Sequence, residues 1–227
     1  MIAGELIVAD DAKDLAERAA EFIAGEIMAS TTAFRFVLSG GSTPRSLYTL
    51  LGARRELPWD RVELFLGDER FVPQDHPDSN FRMVHETLLA HGIRPKALHP
   101  IPTDGTPQSG AAVYDALLRS IKEPQLFDLD LLGLGEDGHI ASLLPDQPVL
   151  MERDKLVAAV PEGRSEERIT LTYPALESCR ITMFLVSGAA KAAMMKRARA
   201  GDTSIPAGRL RPQGSVVWFA DRAAAGV

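Results

Sequence analysis

One histidine in the sequence stands where an acid–base group would be useful. The run LDLLGLGEDGHIASLLP, residues 129–145, is an apolar segment that ends in several glycines and presents His139 two residues after Asp137. A histidine changes its charge near neutral pH and can accept a proton from water, while a nearby carboxylate can orient the ring and stabilise its charged form. We therefore predict acid–base chemistry at His139, with either the neighbouring Asp137 or Asp68 as the carboxylate that partners it. The structural alternative is a solvated histidine on a loop.

A glycine-rich turn near the N-terminus is a candidate anion site. In LSGGSTPRSLYTLL, residues 38–51, an apolar run leads into Gly40, Gly41, Ser42 and Thr43, and a helical pattern begins at Pro44. Glycines let the backbone turn sharply, hydroxyl groups can donate hydrogen bonds, and a helix N-terminus favours negative charge. The spacing is neither GxGxxG nor a P-loop, so no nucleotide is implied. The alternative is a tight strand-to-helix turn with a Ser or Thr cap.

Three consecutive charged residues follow another apolar run. Asp68, Glu69 and Arg70 come directly after the segment RVELFL, residues 61–66, and a single glycine. Ligands of open α/β sheets bind where strands end, so we expect Asp68 or Arg70 to point into a cleft. Glu69 fits a solvated loop. Further along, Asp78 or Ser79 is expected to cap the next helix.

Two cations also follow or lie on predicted strands. Lys191 is placed early in a helix that follows a strand and a turn at Gly188. A cation there opposes the helix dipole, and binding of an anion would explain its position. Arg168 stands next to Glu166 and Glu167, so a surface ion pair explains it without any ligand.

Strand and helix patterns alternate along the chain and must position these groups. Short apolar runs predict strands at Glu5–Ala9, Phe34–Leu38, Arg61–Leu66, Phe127–Gly135, Arg168–Thr172, Arg180–Ser187 and Ser215–Ala220. Apolar residues at three- and four-residue spacing predict helices at Asp11–Met28, Pro44–Leu51, Asn80–Ala90, Ala111–Ile121 and Ala189–Ala200. This alternation predicts a three-layer α/β/α fold with a mostly parallel sheet, and no linker divides the single domain 1–227.

Composition excludes several classes of function. The 227 residues are 45% hydrophobic and 25% charged, as in ordinary globular proteins. With 25 Lys and Arg against 31 Asp and Glu, the net charge of −6 disfavours a nucleic-acid partner. No charge-free stretch approaches the length of a membrane span, and the N-terminus does not resemble a secretory signal, so we expect a cytoplasmic protein without a membrane partner. Closely spaced metal ligands are absent from the sequence, and no metal is expected.

Taken together, the motifs resemble the 6-phosphogluconolactonase family. The resemblance rests on SGGSTP at 39–44, GDER at 67–70 with DSN at 78–80, GLGEDGHIASLLP at 133–145, RIT at 168–170 and SGAAK at 187–191. It implies a Rossmann-like sheet shared with glucosamine-6-phosphate deaminase and ribose-5-phosphate isomerase. It also implies hydrolysis of 6-phospho-D-glucono-1,5-lactone to 6-phosphogluconate, the second step of the oxidative pentose phosphate pathway.

The resemblance further implies a role for each catalytic candidate. His139 would be the general base that activates water, and Arg70 would stabilise the oxyanion or orient the substrate. Asp68 would shape the site and hold sugar hydroxyls or Arg70, and Asp137 would support the turn that presents His139.

The resemblance likewise implies how a small-molecule phosphosugar lactone is bound. Its phosphate would lie on the glycine-rich turn between two charged groups, without any cofactor. The substrate-binding residues implied are Gly40, Gly41, Ser42, Thr43, Asn80, Gly138, Arg168 and Lys191. Whether the chain is a monomer or a dimer is left open.

Two alternative functions remain. Glucosamine-6-phosphate deaminases resemble the chain at SGGSTP, Asp68 and DGHIA, but they continue with a phenylalanine, an asparagine and a catalytic glutamate where this sequence has Ser142, Leu143 and Leu144. Leu144 cannot transfer a proton, so hydrolysis is favoured. A sugar-phosphate sensor without turnover would keep the anion site, but the retained His139 and Asp137 favour an enzyme.

Overall fold

Strands and helices alternate along the chain in the computed structural model, which describes residues 3–121, 123–161 and 165–227. The strands are β1 (Glu5–Ala9), β2 (Phe34–Leu38), β3 (Val62–Leu66), β4 (Asp68–Arg70), β5 (Ala97–His99), β6 (Phe127–Leu132), β7 (Val157–Val160), β8 (Arg168–Leu171), β9 (Cys179–Val186) and β10 (Ser215–Asp221). The helices are α1 (Ala12–Ala29), α2 (Thr43–Ala53), α3 (Asn80–Thr87), α4 (Pro107–Arg119), α5 (Tyr173–Glu177), α6 (Ala192–Arg199), α7 (Pro206–Arg209) and α8 (Arg222–Ala225).

Seven strands form one parallel sheet in the order β1-β10-β9-β6-β2-β3-β5. Helices flank this sheet, which confirms the predicted three-layer α/β/α fold. From β2 the chain builds outward through β3 to β5 and then returns to place β6 on the other side of β2. The loops after β2 and β6 therefore diverge, and ligands of doubly wound sheets bind in the crevice that such a reversal opens.

A second, smaller sheet departs from the prediction. The segment Arg168–Thr172 was expected within the main sheet, but β8 lies at the centre of an antiparallel sheet in the order β4-β8-β7. In this sheet Asp68 is the register partner of Thr170, and Arg70 is the partner of Arg168. The small sheet therefore brings the charged segment after β3 beside a cation about a hundred positions later in the sequence.

Several predicted boundaries shift where turns replace regular structure. The strand expected over Phe127–Gly135 ends at Leu132, because the backbone turns at the glycines that follow. The helix expected over Ala189–Ala200 begins as a 3₁₀ turn at Ala189–Lys191 and becomes α6 at Ala192. Further 3₁₀ turns lie at Trp59–Arg61, Leu89–His91 and Pro148–Met151.

The core is formed by the apolar stripes that the sequence predicts. In α1, Asp11 caps the first turn by accepting hydrogen bonds from the N–H groups of Lys13 and Asp14, and Leu15 and Ile23 are among the residues of its buried face. On the sheet, Phe184 of β9 stacks on Trp218 of β10 with ring centroids 3.8 Å apart. Burial of such large side chains contributes roughly 1.5–3 kcal/mol each to the free energy of folding.

The amino ends of four neighbouring strands carry a row of alternating charges. The second residues of β9, β6, β2 and β3 are Arg180, Asp128, Arg35 and Glu63. The carboxylate of Asp128 lies 3.8 Å from Nε of Arg180 and 3.9 Å from Nε of Arg35, whose register partner is Glu63. This charge row lies at the opposite end of the sheet from the loops described next.

None of the helices in the described ranges combines the length and the apolar character that crossing a bilayer would require.

Candidate active site

A cavity lies at the carboxyl ends of β2, β6 and β9, beside the small antiparallel sheet. Ten of the residues predicted to form a site line this cavity: Gly40, Gly41, Ser42, Thr43, Asp68, Arg70, Asn80, His139, Arg168 and Lys191. Parallel strands end at the same edge of a sheet, which is why segments distant in the sequence meet here. Of the two other candidates, Asp137 contacts His139, whereas Gly138 lies against Ile205 and is not among the described lining residues.

The turn after β2 has the geometry of an anion site. Gly41 has φ +103°, a backbone conformation that suits glycine, and a Cβ at Gly40 would overlap the side chain of Asn80. Ser42 precedes α2, yet within the described chain its hydroxyl makes no capping hydrogen bond to the first turn. The hydroxyl and the N-terminal end of α2 are therefore both available to an anion in the cavity.

Tyr48 fixes the start of the glycine-rich turn through two hydrogen bonds to the backbone of Ser39. Its hydroxyl accepts a hydrogen bond from the N–H of Ser39 at 2.8 Å and donates one to the carbonyl of the same residue at 2.9 Å. Burial raises the pKa of Tyr48 far above its usual value, so the hydroxyl keeps its proton and can make both bonds. Tyr48 was not predicted as a site residue, because its apolar neighbours in α2 make it resemble an ordinary core tyrosine.

His139 and Asp137 form a close pair. Oδ1 of Asp137 lies 2.6 Å from Nδ1 of His139 and also accepts the backbone N–H of His139 at 3.2 Å. A Cβ at Gly135 would lie 1.9 Å from Nδ1 of the histidine, so only glycine fits at that position. Because a carboxylate accepts, Nδ1 carries the proton, and Nε2 is the proton-accepting nitrogen of the neutral ring.

Glu69 is buried, which corrects the expectation of a solvated loop residue. Its side chain accepts hydrogen bonds from the backbone N–H groups of Arg70 (2.9 Å), Asn80 (2.7 Å) and Phe81 (2.8 Å) and from the hydroxyl of Ser79 (3.0 Å). Burial raises the pKa of Glu69 despite the three backbone donors, which by themselves would lower it. Glu69 therefore joins the strand that carries Asp68 and Arg70 to the start of α3.

Ser79 is the N-cap of α3, as one of the two predicted alternatives. Its hydroxyl accepts a hydrogen bond from the N–H of Arg82 at 3.2 Å. The next residue, Asn80, thereby opens the helix with its side chain towards the cavity, where its amide donates to Oδ1 of Asp68 at 3.1 Å.

Asp68 is held by protein donors at both carboxylate oxygens. Besides the amide of Asn80 at Oδ1, the hydroxyl of Ser142 donates to Oδ2 at 2.6 Å. The expectation that Asp68 could hold Arg70 is replaced by these two partners. A carboxylate fixed in this way is an oriented acceptor at the cavity wall.

Three cations reach the same cavity. Nη1 of Arg70 donates to the carbonyl of Asp78 at 2.5 Å, and its buried Nε has no hydrogen-bond partner among the described residues. Arg168 lies 4.0 Å from Glu166, so the predicted ion pair is present, but its Nη1 also approaches the hydroxyl of Ser142 at 3.5 Å. Lys191 lies 3.9 Å from Glu136. Such a group of cations suits a doubly charged anion in a protein that is negative overall.

A buried carboxylate positions the segment that carries Lys191. Asp221, at the end of β10, accepts hydrogen bonds from the hydroxyl of Ser187 at 2.5 Å and from the N–H of Gly188 at 3.0 Å. Burial alone would raise the pKa of Asp221, but these bonds and one from Ala224 hold it below its usual value. Asp221 was not predicted, since Ser187 and Gly188 lie more than thirty positions earlier in the sequence.

Comparisons with known proteins agree with the geometry. A family model described as glucosamine-6-phosphate isomerases/6-phosphogluconolactonase matches residues 10–218. A 6-phosphogluconolactonase of Synechocystis sp. is 40% identical over 197 residues, which are 82% of this chain and 81% of that protein. The crystal structure of a 6-phosphogluconolactonase of Thermotoga maritima superposes with a TM-score of 0.83 and 31% identity, covering 96% of this chain and 99% of that one.

The fold is also shared with a deaminase. A monomeric glucosamine-6-phosphate deaminase superposes with a TM-score of 0.82 over 98% of this chain and 99% of its own, at 20% identity. At that identity the likeness concerns the fold alone. The side chains in the cavity must therefore distinguish the two reactions.

Proposed function

The chain belongs to the glucosamine-6-phosphate isomerase/6-phosphogluconolactonase family, and we propose that it hydrolyses 6-phospho-D-glucono-1,5-lactone with water activated by His139. Lactone hydrolysis, which belongs to the pentose phosphate pathway, is the activity named for the relatives with which it shares most of its length. The observation that carries the mechanism is the pair formed by His139 and Asp137 at 2.6 Å on the wall of a cation-lined cavity.

The reaction needs a base that removes a proton from water and an acid that then protonates the ring oxygen. Water attacks the lactone carbonyl carbon while Nε2 of His139 takes its proton, and Asp137 stabilises the imidazolium that forms. The bond from the carbonyl carbon to the ring oxygen then breaks, and the imidazolium returns the proton to that oxygen. The products are a hydroxyl group and a carboxylic acid, which ionises and releases a proton to solvent.

Arg70 is placed to stabilise the developing oxyanion or to orient the carbonyl. Its buried Nε has no hydrogen-bond partner within the described chain and belongs to a side chain that lines the cavity. A fixed cationic donor in a partly desolvated site stabilises negative charge more than water does. Asp68, oriented by Asn80 and Ser142, would accept hydrogen bonds from sugar hydroxyls.

The phosphate end supplies binding energy away from the reacting bond. The turn at Gly40–Thr43 and the N-terminal end of α2 would receive the phosphate, between Arg168 and Lys191. Asn80 would support the same region through its contact with Asp68, whereas Gly138 would act through the turn that presents His139. Binding energy from this unreactive group can be used to position the ester against its base.

The domain organisation, the cellular compartment and the partners of the enzyme also form part of the proposal. We propose a single catalytic domain over 1–227, which the family match to residues 10–218 supports. We also propose that the enzyme acts in the cytoplasm on a small molecule, without a nucleic-acid partner. The net charge of −6 supports the latter.

The test is proton release from freshly prepared 6-phosphogluconolactone, corrected for spontaneous hydrolysis, alongside ammonia release from glucosamine 6-phosphate. We expect rapid lactone hydrolysis without ammonia. His139→Asn should lower kcat by at least about 100-fold, in the range of general-base catalysis, and leave binding of 6-phosphogluconate intact. His85→Asn, on the exposed surface of α3, is the matched control.

Other outcomes would assign another function. Ammonia release without lactone turnover would identify a deaminase, although the buried Leu144 offers no proton-transferring group. Binding of 6-phosphogluconate without either reaction would identify a sensor. Full activity in His139→Asn would remove His139 as the general base.

A further inference from the structure

Ser142 stands between the two parts of the site without touching its open surface. Its side chain is completely buried, and it is not among the described residues that line the cavity. It lies three residues after His139, in the segment that leaves the catalytic turn. In the sequence, Ser142 is notable only as a position where the chain departs from the deaminase pattern.

Ser142 is hydrogen-bonded to both members of one register pair of the small sheet. Asp68 of β4 and Thr170 of β8 face each other in that sheet. The hydroxyl of Ser142 donates to Oδ2 of Asp68 at 2.6 Å, and its backbone N–H donates to Oγ1 of Thr170 at 3.1 Å. Thr170 in turn donates its own proton to the carbonyl of Leu171 at 3.0 Å, so its oxygen is correctly disposed to accept.

The same hydroxyl lies near one of the cavity cations. Nη1 of Arg168 approaches Oγ of Ser142 at 3.5 Å, at the limit of a hydrogen bond. Arg168 is the first residue of β8 and lies two residues before Thr170. Ser142, in the segment that leaves the histidine turn, therefore contacts the carboxylate of Asp68, Thr170 of β8 and the cation of Arg168.

The backbone next to Ser142 is strained, and the two bonds help to hold it. Ala141 has φ +47°, in the left-handed region that costs a residue with a Cβ on the order of 1 kcal/mol. Ala141 itself lines the cavity. A strained conformation persists only where its surroundings fix it. The hydrogen bonds of Ser142 contribute to that fixation, together with the bond from the N–H of Leu143 to the carbonyl of Ile140 at 2.9 Å.

We propose that Ser142 is a positioning residue, which sets the placement of the His139 turn relative to the small sheet that carries Asp68 and Arg168. This inference rests on the proposed function, in which His139 acts on one end of the substrate and the cations hold the other. The distance between base and reacting carbon then depends on how the turn is tied to the small sheet. A misplacement of about 1 Å can reduce a rate by about 100-fold.

The test compares Ser142→Ala with the wild type in lactone hydrolysis. The substitution removes the hydroxyl but keeps the backbone N–H. We expect kcat to fall by about 10- to 100-fold. Loss of the donor to Asp68 should also raise KM and the Kd for 6-phosphogluconate, but by a smaller factor than the fall in kcat. Ser215→Ala, at the exposed start of β10 and far from the cavity, is the control and should change neither constant.

A second variant addresses the other bond and guards against misfolding. Thr170→Val keeps the shape of the side chain but removes the acceptor for the N–H of Ser142, and it should also lower kcat at constant KM. Thr170→Ser retains the acceptor and should restore most of the rate. This rescue separates positioning from a general loss of stability, and urea unfolding of each variant gives its folded fraction.

The possible results are distinct. Unchanged kcat in folded Ser142→Ala and Thr170→Val would overturn the proposal, as would a raised KM at constant kcat, which would indicate substrate binding. A loss in Thr170→Val that Thr170→Ser does not restore would also overturn it. Failure of the proposed function itself would be seen separately, as absent lactone hydrolysis by the wild type or full activity in His139→Asn.

Discussion

The side chain of Glu69 accepts the backbone N–H of Asn80 at 2.7 Å, so a buried carboxylate ties one wall of the cavity to the first turn of α3. The same carboxylate accepts the N–H of Arg70 and thereby fixes the strand end from which the arginine extends. Four donors surround this one group, and a neutral amide in its place could not accept from all of them.

We therefore predict that Glu69→Gln impairs catalysis without removing any cavity-lining group. The new amide N–H₂ would face backbone N–H donors, and hydrogen bonds to a charged group contribute roughly 1.5–3 kcal/mol each. We expect kcat/KM for lactone hydrolysis to fall by about 10- to 100-fold. Glu86→Gln, on the exposed side of the same helix, is the control; equal effects of the two substitutions would contradict the prediction.

Asp137 should affect kcat by determining which ring nitrogen of His139 carries the proton. In Asp137→Asn the amide can present a donor to Nδ1 of His139, which would favour the proton on Nε2 and remove the base from the cavity side. We expect kcat to fall by about 10- to 100-fold and KM to change little. The measurement is initial-rate kinetics with spontaneous hydrolysis subtracted, together with ¹⁵N NMR of the imidazole. A variant with normal kcat and the Nε2–H tautomer would refute this role.

Asp221 should affect substrate affinity more than turnover. Asp221→Asn weakens the bonds to Ser187 and Gly188 and thus loosens the segment that presents Lys191. We expect KM to rise by about tenfold with kcat within about threefold of the wild type, because Lys191 is proposed to hold the unreactive phosphate. Lys191→Ala should raise KM at least as much. The prediction fails if Asp221→Asn lowers kcat alone.

Asp130 should make stability depend on pH. It is fully buried in β6, neither of its oxygens has a hydrogen-bond partner among the described residues, and burial raises its pKa well above the usual value. The folded state thus holds the proton after the unfolded chain has released it. The free energy of unfolding contributed by Asp130 is greatest below the usual pKa of aspartate and is lost as pH rises towards the folded pKa, by up to about 1.4 kcal/mol per pH unit.

Asp130→Asn removes this titration while keeping the shape of the side chain. Relative to the wild type, we expect the variant to become progressively more stable in urea unfolding as the pH rises above the usual pKa of aspartate. Because Glu69 and other acids titrate in both proteins, the difference between the two curves isolates Asp130. Parallel curves would show that Asp130 is not held in its neutral form.

The sequence predicted the parts of the fold that repeat a local pattern. The strands at Phe34–Leu38 and Glu5–Ala9 have the predicted bounds, because a short run rich in apolar residues with β propensity is a local signal. The three-residue strand β4 escaped prediction, since its residues are charged and too few to show a period. The placement of β8 in a separate antiparallel sheet depends on pairing with β4 and β7, which no local pattern encodes.

The candidate site was predicted where chemistry and a strand end coincide in the sequence. His139 and the glycine-rich turn lie on the cavity as expected. Glu69 was misjudged because a charged triplet gives no sign of which member faces inward. Ser142, Tyr48 and Asp221 act through hydrogen bonds, and the partners of Ser142 and Asp221 are distant in the sequence, so their roles become visible only when the chain is folded.

The charge row at the amino ends of the strands helps to set the strand register, at the end of the sheet opposite the cavity. A slip of one residue along β2 or β6 would turn Arg35 or Asp128 to the other face of the sheet and break the alternation of sign, so each strand has a single favoured alignment. That alignment fixes where each of these four strands ends and its loop begins, about 10 to 20 Å away at about 3.3 Å per residue. Loops around the cavity can therefore change by substitution or insertion while their starting points stay in place.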